Sequence, residues 1–251
     1  SEKYKGEIHF STGSNTARSS SNFYALNNGI ATLFEIRGVG IGKTSFKRRI
    51  NSGLAVGFSF LKTAYENSNF ILNQIDIAKT YTNDIVLEHK RSIYTDVIKA
   101  IDIESNELID FSTTMHSSKD SYAISKRDRP IAYVIKKNNY GFIEKLNDVG
   151  VNYVEFEKDT MIYSGSYKVV QYNNNFKVYE KMKMQKVVTA IEYSDNIFSR
   201  GDILISMNQK RSNLIAELLE PEAPNSYVSF GIIKTSLNRK LPIYRIKNFN
   251  N

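Results

Sequence analysis

The stretch Ile30–Ser45, IATLFEIRGVGIGKTS, constrains the chain more than any other. Its apolar run, Ile30 to Ile36, holds a single acid, Glu35, and shows no alternation of apolar and polar residues. That pattern predicts a strand buried on both faces. Gly38, Gly40 and Gly42 follow, then Lys43 and Thr44. From Ser45 to about Asn67 the residues Phe46, Ile50, Leu54, Phe58, Leu61 and Tyr65 recur at helical spacing and predict a long amphipathic helix. A second helix is expected from about Asn69 to Thr80, with Phe70, Ile71, Ile75 and Ala78 on one face.

A strand, a glycine-rich loop and a helix in that order invite a nucleotide-binding reading, which fails by one residue. A phosphate loop needs G-x-x-x-x-G-K-[ST], so that enough backbone N–H groups curl around the phosphates. Counted back from Gly42-Lys43-Thr44, the first glycine should stand at position 37, where the chain has Arg37. The alternating glycines also miss the dinucleotide pattern G-x-G-x-x-G. Nucleotide binding is therefore the weakest of the functions considered. The glycines read as the means of turning the chain into the helix.

Composition narrows the remaining classes. At 251 residues, with 41% hydrophobic and 12% aromatic residues, the chain can bury one large core or two modest ones. No stretch approaches the roughly 20 apolar residues of a membrane helix. No signal peptide is visible, and the opening Ser1 favours a start downstream of the initiation site. Zero cysteines exclude disulfides, thiolate metal sites and cysteine nucleophiles. The net charge of +8 is scattered, with its densest cluster at Lys47-Arg48-Arg49, and no basic tail or aromatic-interleaved motif marks a nucleic-acid partner.

Along the chain the texture changes twice. Residues 1–29 are polar and read as loop or surface, especially from Ser11 to Ser21. Beyond about Arg91, short alternating segments such as Ile101–Ile103, Tyr167–Gln171 and Val187–Glu192 predict strands of a β-rich region. Within it, Pro130–Lys136 is expected as a strand and Tyr140–Val149 as a helix with Ile143 and Leu146 inward. Gly150 caps that helix and Val151–Phe156 returns as a strand, completing a βαβ-like unit. Ile203–Met207 reads as a further strand, and Ser212–Leu219 as a helix stopped by Pro221.

The segment Ser21–Arg49, SNFYALNNGIATLFEIRGVGIGKTSFKRR, resembles the end of the catalytic domain of zinc metallocarboxypeptidases of the carboxypeptidase A superfamily. Arg129–Ile135, the stretch Asn147–Val151, Arg200-Gly201-Asp202 and Leu218–Gly231 (LLEPEAPNSYVSFG) resemble a domain appended to some bacterial members. The resemblance implies an α/β fold: over residues 1–90, the C-terminal portion of a carboxypeptidase-like mixed sheet with helices; over 91–251, a β-rich α+β domain containing the βαβ-like unit. It also implies a peptidase in which Glu35 is the catalytic general base, taking a proton from zinc-bound water and passing it to the leaving amine. Arg37 and Tyr24 are candidate substrate-positioning or supporting residues. On an ideal strand Arg37 shares a face with Glu35.

The same family holds zinc through His-x-x-Glu and a more distant histidine. This chain has only His9, His89 and His116, and none has glutamate at the third following position. No metal ligand is therefore assigned here: zinc is expected in the parent protein, with its ligands outside this chain, and the chain alone is expected to be inactive. The partners implied are the N-terminal part of the catalytic domain and a peptide substrate, with no nucleic acid and no membrane span. The family's habits suggest a periplasmic, outer-membrane-associated or secreted location. Because residues 1–90 offer too few strands to flank Ile30–Ile36, a large apolar surface is expected there. The alternative is a non-catalytic protein- or glycan-binding module, with Tyr133, Tyr153, Tyr163, Tyr167, Tyr172 and Tyr179 as candidate stacking residues.

Overall fold

A computed structural model describes residues 8–38, 40, 42–80, 83–174 and 178–249. The described chain is a mixture of helices and strands in which strands dominate. Its core sits in the C-terminal half, around a sheet of six strands: β4 (Ala132–Ile135), β5 (Val154–Glu155), β6 (Thr160–Asn173), β9 (Lys186–Phe198), β10 (Ile203–Ser206) and β11 (Lys240–Ile246). Their order is β5-β10-β4-β11-β6-β9. The strands β4 and β10 at the middle of the sheet are short and apolar, as strands covered on both faces must be, while β11 beside them carries the buried Arg245. Two short strands, β7 (Val178–Tyr179) and β8 (Met182–Lys183), pair within the β6–β9 connection.

Helices α4 (Tyr140–Asp148) and α5 (Ser212–Leu219) close the core. Ile143, Leu146, Leu214, Ile215 and Leu219 are buried, as their spacing predicts. Gly150, at φ 68°, ends α4 in a paired cap: its own N–H donates to the Asn147 carbonyl at 2.8 Å and that of Val151 to Leu146 at 2.9 Å. The expected βαβ-like unit is present in split form. β4 and β5 run parallel, but β10 lies between them, antiparallel to both.

Gly165 on β6 faces Tyr193 on β9, and a Cβ there would lie 2.7 Å from Ile191 Cγ2 and 2.9 Å from Tyr193 Cε1. Gly165→Ala is therefore expected to destabilise the fold by about 1–3 kcal/mol through overpacking. An unchanged urea midpoint would show that the Ile191 and Tyr193 side chains can give way.

A second sheet has three strands in the order β1-β3-β2. β2 (Ile85–Ile101) and β3 (Leu108–Arg127) form one long antiparallel hairpin, and β1 (His9–Thr12) runs parallel to β3. The expected strand at Ile101–Ile103 is corrected: Ile101 ends β2, and Ile103 belongs to the turn. There Asp102 Oδ1 accepts the N–H groups of Glu104 and Ser105. The expected division at residue 90 falls inside β2, which carries Ile85 and Leu87 into the C-terminal core.

The N-terminal region differs most from expectation. Within the polar stretch, β1 and helix α1 (Ser20–Leu26) appear where loop was expected. Helices α2 (Phe46–Glu66) and α3 (Ser68–Lys79) fall where the periodicity puts them, yet none of the residues of α1, α2 or α3 is recorded as buried. The Ile30–Ile36 strand is corrected outright: the segment is irregular and mostly exposed. A strand needs neighbours to share its backbone hydrogen bonds, and none flanks it among the described residues. The segment lies along α2 instead, with the Phe34 and Phe60 rings edge to face at 6.1 Å and Ile36 beside Gly53.

Candidate functional site

Tyr24 lies on α1, with its side chain 59% exposed and its ring against Phe23. Its carbonyl accepts the N–H groups of Asn27 and Gly29, and a Cβ at Gly29 would stand 3.0 Å from that oxygen. Glu35 is exposed in the irregular segment. Arg37 is exposed too, and its carbonyl accepts a bond from Arg48 Nη2 at 3.2 Å. Among the described residues no hydrogen bond, ion pair or ring contact joins Tyr24, Glu35 and Arg37. The expectation that Arg37 shares a strand face with Glu35 is corrected, because the strand that would align them is absent.

The glycine-rich turn behaves as read. Gly40 and Gly42 have φ of 78° and 56°, a region favouring glycine, and the chain then enters a short 3-10 turn at Lys43–Ser45. Gly38 makes room for the guanidinium of Arg49, which would clash with any Cβ. Val39 and Ile41 lie outside the described residues.

The three histidines do not assemble a metal site with acids. His9 on β1 and His116 on β3 stack with ring centroids 4.4 Å apart, and His89 is exposed on β2. Among the described residues no group of three or more His, Cys, Asp or Glu side chains is placed to hold a metal ion. The described residues by themselves therefore do not fit zinc.

Around Glu35 the dominant feature is apolar exposure. Phe46, Ile50, Leu54, Phe58, Leu61 and Tyr65, the whole stripe that the helical period defines, face solvent, as do Ile30, Leu33 and Phe34. A helix this amphipathic draws most of its stability from packing its stripe, and here the stripe is exposed.

The densest polar constellation was missed in sequence. At the root of the β2–β3 hairpin, Arg127 Nη1 lies 2.6 Å from Glu220 Oε2 and 2.8 Å from Glu222 Oε2, and Nη2 lies 3.0 Å from Glu222 Oε1. Glu220 is fully buried, and its Oε1 accepts the Tyr133 and Tyr167 hydroxyls at 2.6 and 2.8 Å. Burial, reinforced by the Glu220 carboxylate, pushes both phenols far above their usual range. Burial alone would lower the Arg127 pKa, but the Glu222 hydrogen bond and both carboxylate charges more than offset it and raise it. Tyr133 and Tyr167 are thus core residues and not stacking platforms. Tyr163, stacked on Tyr193 at 5.9 Å, is partly exposed. The visible signal for this cluster was the pair of acids flanking Pro221, but its cation and its phenols come from distant positions.

Comparison with curated proteins adds a relationship. The chain is similar to proteins named carboxypeptidase 2. It is 29% identical over 235 residues to that of Trichophyton equinum, 30% over 236 to that of Trichophyton rubrum, and 28% over 230 to that of Trichophyton tonsurans. Each comparison covers 90% of this chain but 43% of the relative. The chain thus spans less than half the length of the curated relatives it matches. No family model matches, and no solved structure matches. No helix among the described residues is long and apolar enough to cross a membrane.

Proposed function

We propose that this chain supplies part of a carboxypeptidase-like peptidase of the zinc metallocarboxypeptidase kind, in which Glu35 is the general base. The similarity to proteins named carboxypeptidase 2, running through 90% of the chain, carries this reading. In it, the Glu35 carboxylate accepts a proton from the attacking water as the water oxygen bonds to the scissile carbonyl carbon. It then delivers that proton to the departing amine as the C–N bond breaks. Zinc held by the rest of the parent protein would supply Lewis-acid polarisation of that carbonyl. Its ligands lie outside this chain; Arg37 reaches the substrate once the remainder of the catalytic domain packs against residues 30–38, and Tyr24 supports it from α1. One observation supports that division: the α2 stripe is uncovered.

The deciding experiment compares this chain with the full-length gene product for zinc content and for release of C-terminal residues from peptides. Stoichiometric zinc and activity are expected in the full-length product, and neither in the chain alone. A full-length product without zinc removes the reading.

The uncovered stripe makes a separate prediction. Phe58→Glu is expected to change the stability of this chain by less than about 0.5 kcal/mol, because Phe58 is 68% exposed. In the full-length protein the same change buries a charge in the interface and is expected to cost several kcal/mol. Equal melting-temperature shifts in the two forms would refute the covering role.

A further inference from the structure

Two adjoining clefts, of about 840 and 710 Å3, share Arg18, Met184 and Pro224 in their walls and so form one groove. One long wall is β2, which contributes Val86, Leu87, His89 and Arg91 to the first cleft and Glu88 to the second. In the order β1-β3-β2 this strand is an edge, and among the described residues its outer side pairs with no strand. A free edge offers a row of N–H and C=O groups to any extended chain laid beside it. The β2–β3 register shifts between Val86 and Glu88, between Glu88 and His89, and between Lys90 and Ser92. Irregularities of this kind re-aim side chains and gather beside binding sites. All three fall on the stretch that walls the groove.

Across from β2, α5 presents Glu217. Its Oε1 accepts the Asn225 N–H at 3.1 Å and the Asn225 side-chain amide at 2.7 Å. Its Oε2 makes no hydrogen bond, and no ion pair reaches the carboxyl, among the described residues. Burial holds this carboxyl above its usual range, against the pull of the Asn225 bonds. A half-buried carboxylate without a cation is costly, and an incoming ammonium or guanidinium offsets that cost directly. Between the two clefts the Arg18 guanidinium is held flat over Tyr179, 3.7 Å from the ring centre.

We infer that this groove binds an extended peptide, which adds as a strand to the free edge of β2 and places one basic side chain against Glu217. Arg18, Arg91 and Lys186 line the groove together with Glu88 and Glu222, and Glu222 is already paired with Arg127, which leaves Glu217 as the half-buried acid without a cation among the described residues. A single lysine or arginine among neutral or acidic neighbours fits.

The test titrates the full chain with a short acetylated and amidated peptide carrying one lysine among valine, threonine and serine. Blocked ends leave no terminal carboxylate, so the outcome does not depend on the peptidase reading. Replacing the lysine by norleucine, or Glu217→Gln in the protein, is expected to weaken binding by about tenfold or more. N-methylation of alternate peptide amides is expected to abolish binding. The melting temperature of the Glu217→Gln protein reports whether its fold is kept, and the norleucine and N-methyl peptides need no protein change at all. Equal affinity for lysine and norleucine peptides overturns the role of Glu217. Binding unaffected by N-methylation overturns strand addition, and no binding at millimolar peptide overturns both.

Discussion

Glu35→Gln in the full-length protein is expected to lower peptide hydrolysis by about 10²–10⁴-fold, the range that loss of a positioned general base produces. The substitution keeps the side chain's shape and removes its ability to hold a proton in transit. In this chain Glu35 is exposed and has no hydrogen-bond or ion-pair partner among the described residues, so no structural role masks the chemical one. Stability of the isolated chain should shift by no more than about 0.5 kcal/mol. The informative readout is kcat measured alongside substrate affinity: a base acts in the transition state, so kcat falls and binding of a non-hydrolysed peptide is kept. Wild-type activity in the Glu35→Gln protein would end the assignment. Arg37→Ala should behave differently, raising KM more than it lowers kcat if Arg37 positions substrate.

The second large effect concerns folding. Arg127→Met is expected to destabilise the chain by about 3–5 kcal/mol, a large share of the roughly 5–15 kcal/mol that holds an ordinary domain together. Arg127 is 13% exposed and Glu220 is wholly buried, so removing the guanidinium breaks the ion pair and leaves only the charge of the buried Arg245 acting on the carboxylate. The two tyrosine hydroxyls that also reach Glu220 donate hydrogen bonds but carry no compensating charge. Glu222 suffers less: it is partly accessible and keeps the backbone N–H and hydroxyl of Thr189 as donors. The double variant Arg127→Met with Glu220→Gln should recover much of the loss, because it removes the stranded charge together with its partner. Urea unfolding of the two single variants and the double closes the cycle. Additive losses would show that Arg127 and Glu220 are not coupled.

Local signals marked out much of this fold. Helix α5 has the bounds that its apolar spacing and Pro221 set, and α4 ends where Gly150 permits a left-handed residue. α2 and α3 follow their periodicity to within about one residue. Each of these depends on bonds between residues a few positions apart, so the information is present in a short window. β2 was harder to see, because its register shifts interrupt the alternation that announces a half-buried strand.

The same contrast applies to the candidate sites. Glu35 stood out in sequence as a single acid in an apolar run, and its neighbourhood was enough to suggest chemistry. Whether Ile30–Ile36 is a strand could not be settled there, because strand formation depends on flanking strands supplied from elsewhere. In this chain none flanks it among the described residues, and the segment stays irregular. The Arg127–Glu220 pair joins residues 93 positions apart, and the groove joins β2 to α5 across the whole hairpin. By itself, then, the sequence determined helices α2 to α5, their apolar stripes, the turn glycines and the failure of the phosphate loop, all through short-range sterics and periodicity. Only the tertiary structure decided that the α2 stripe faces solvent, that Tyr133 and Tyr167 serve a buried carboxylate, and that β2 keeps a free edge beside Glu217. Burial and pairing are properties of distant segments brought together, and no local pattern encodes which segments those are.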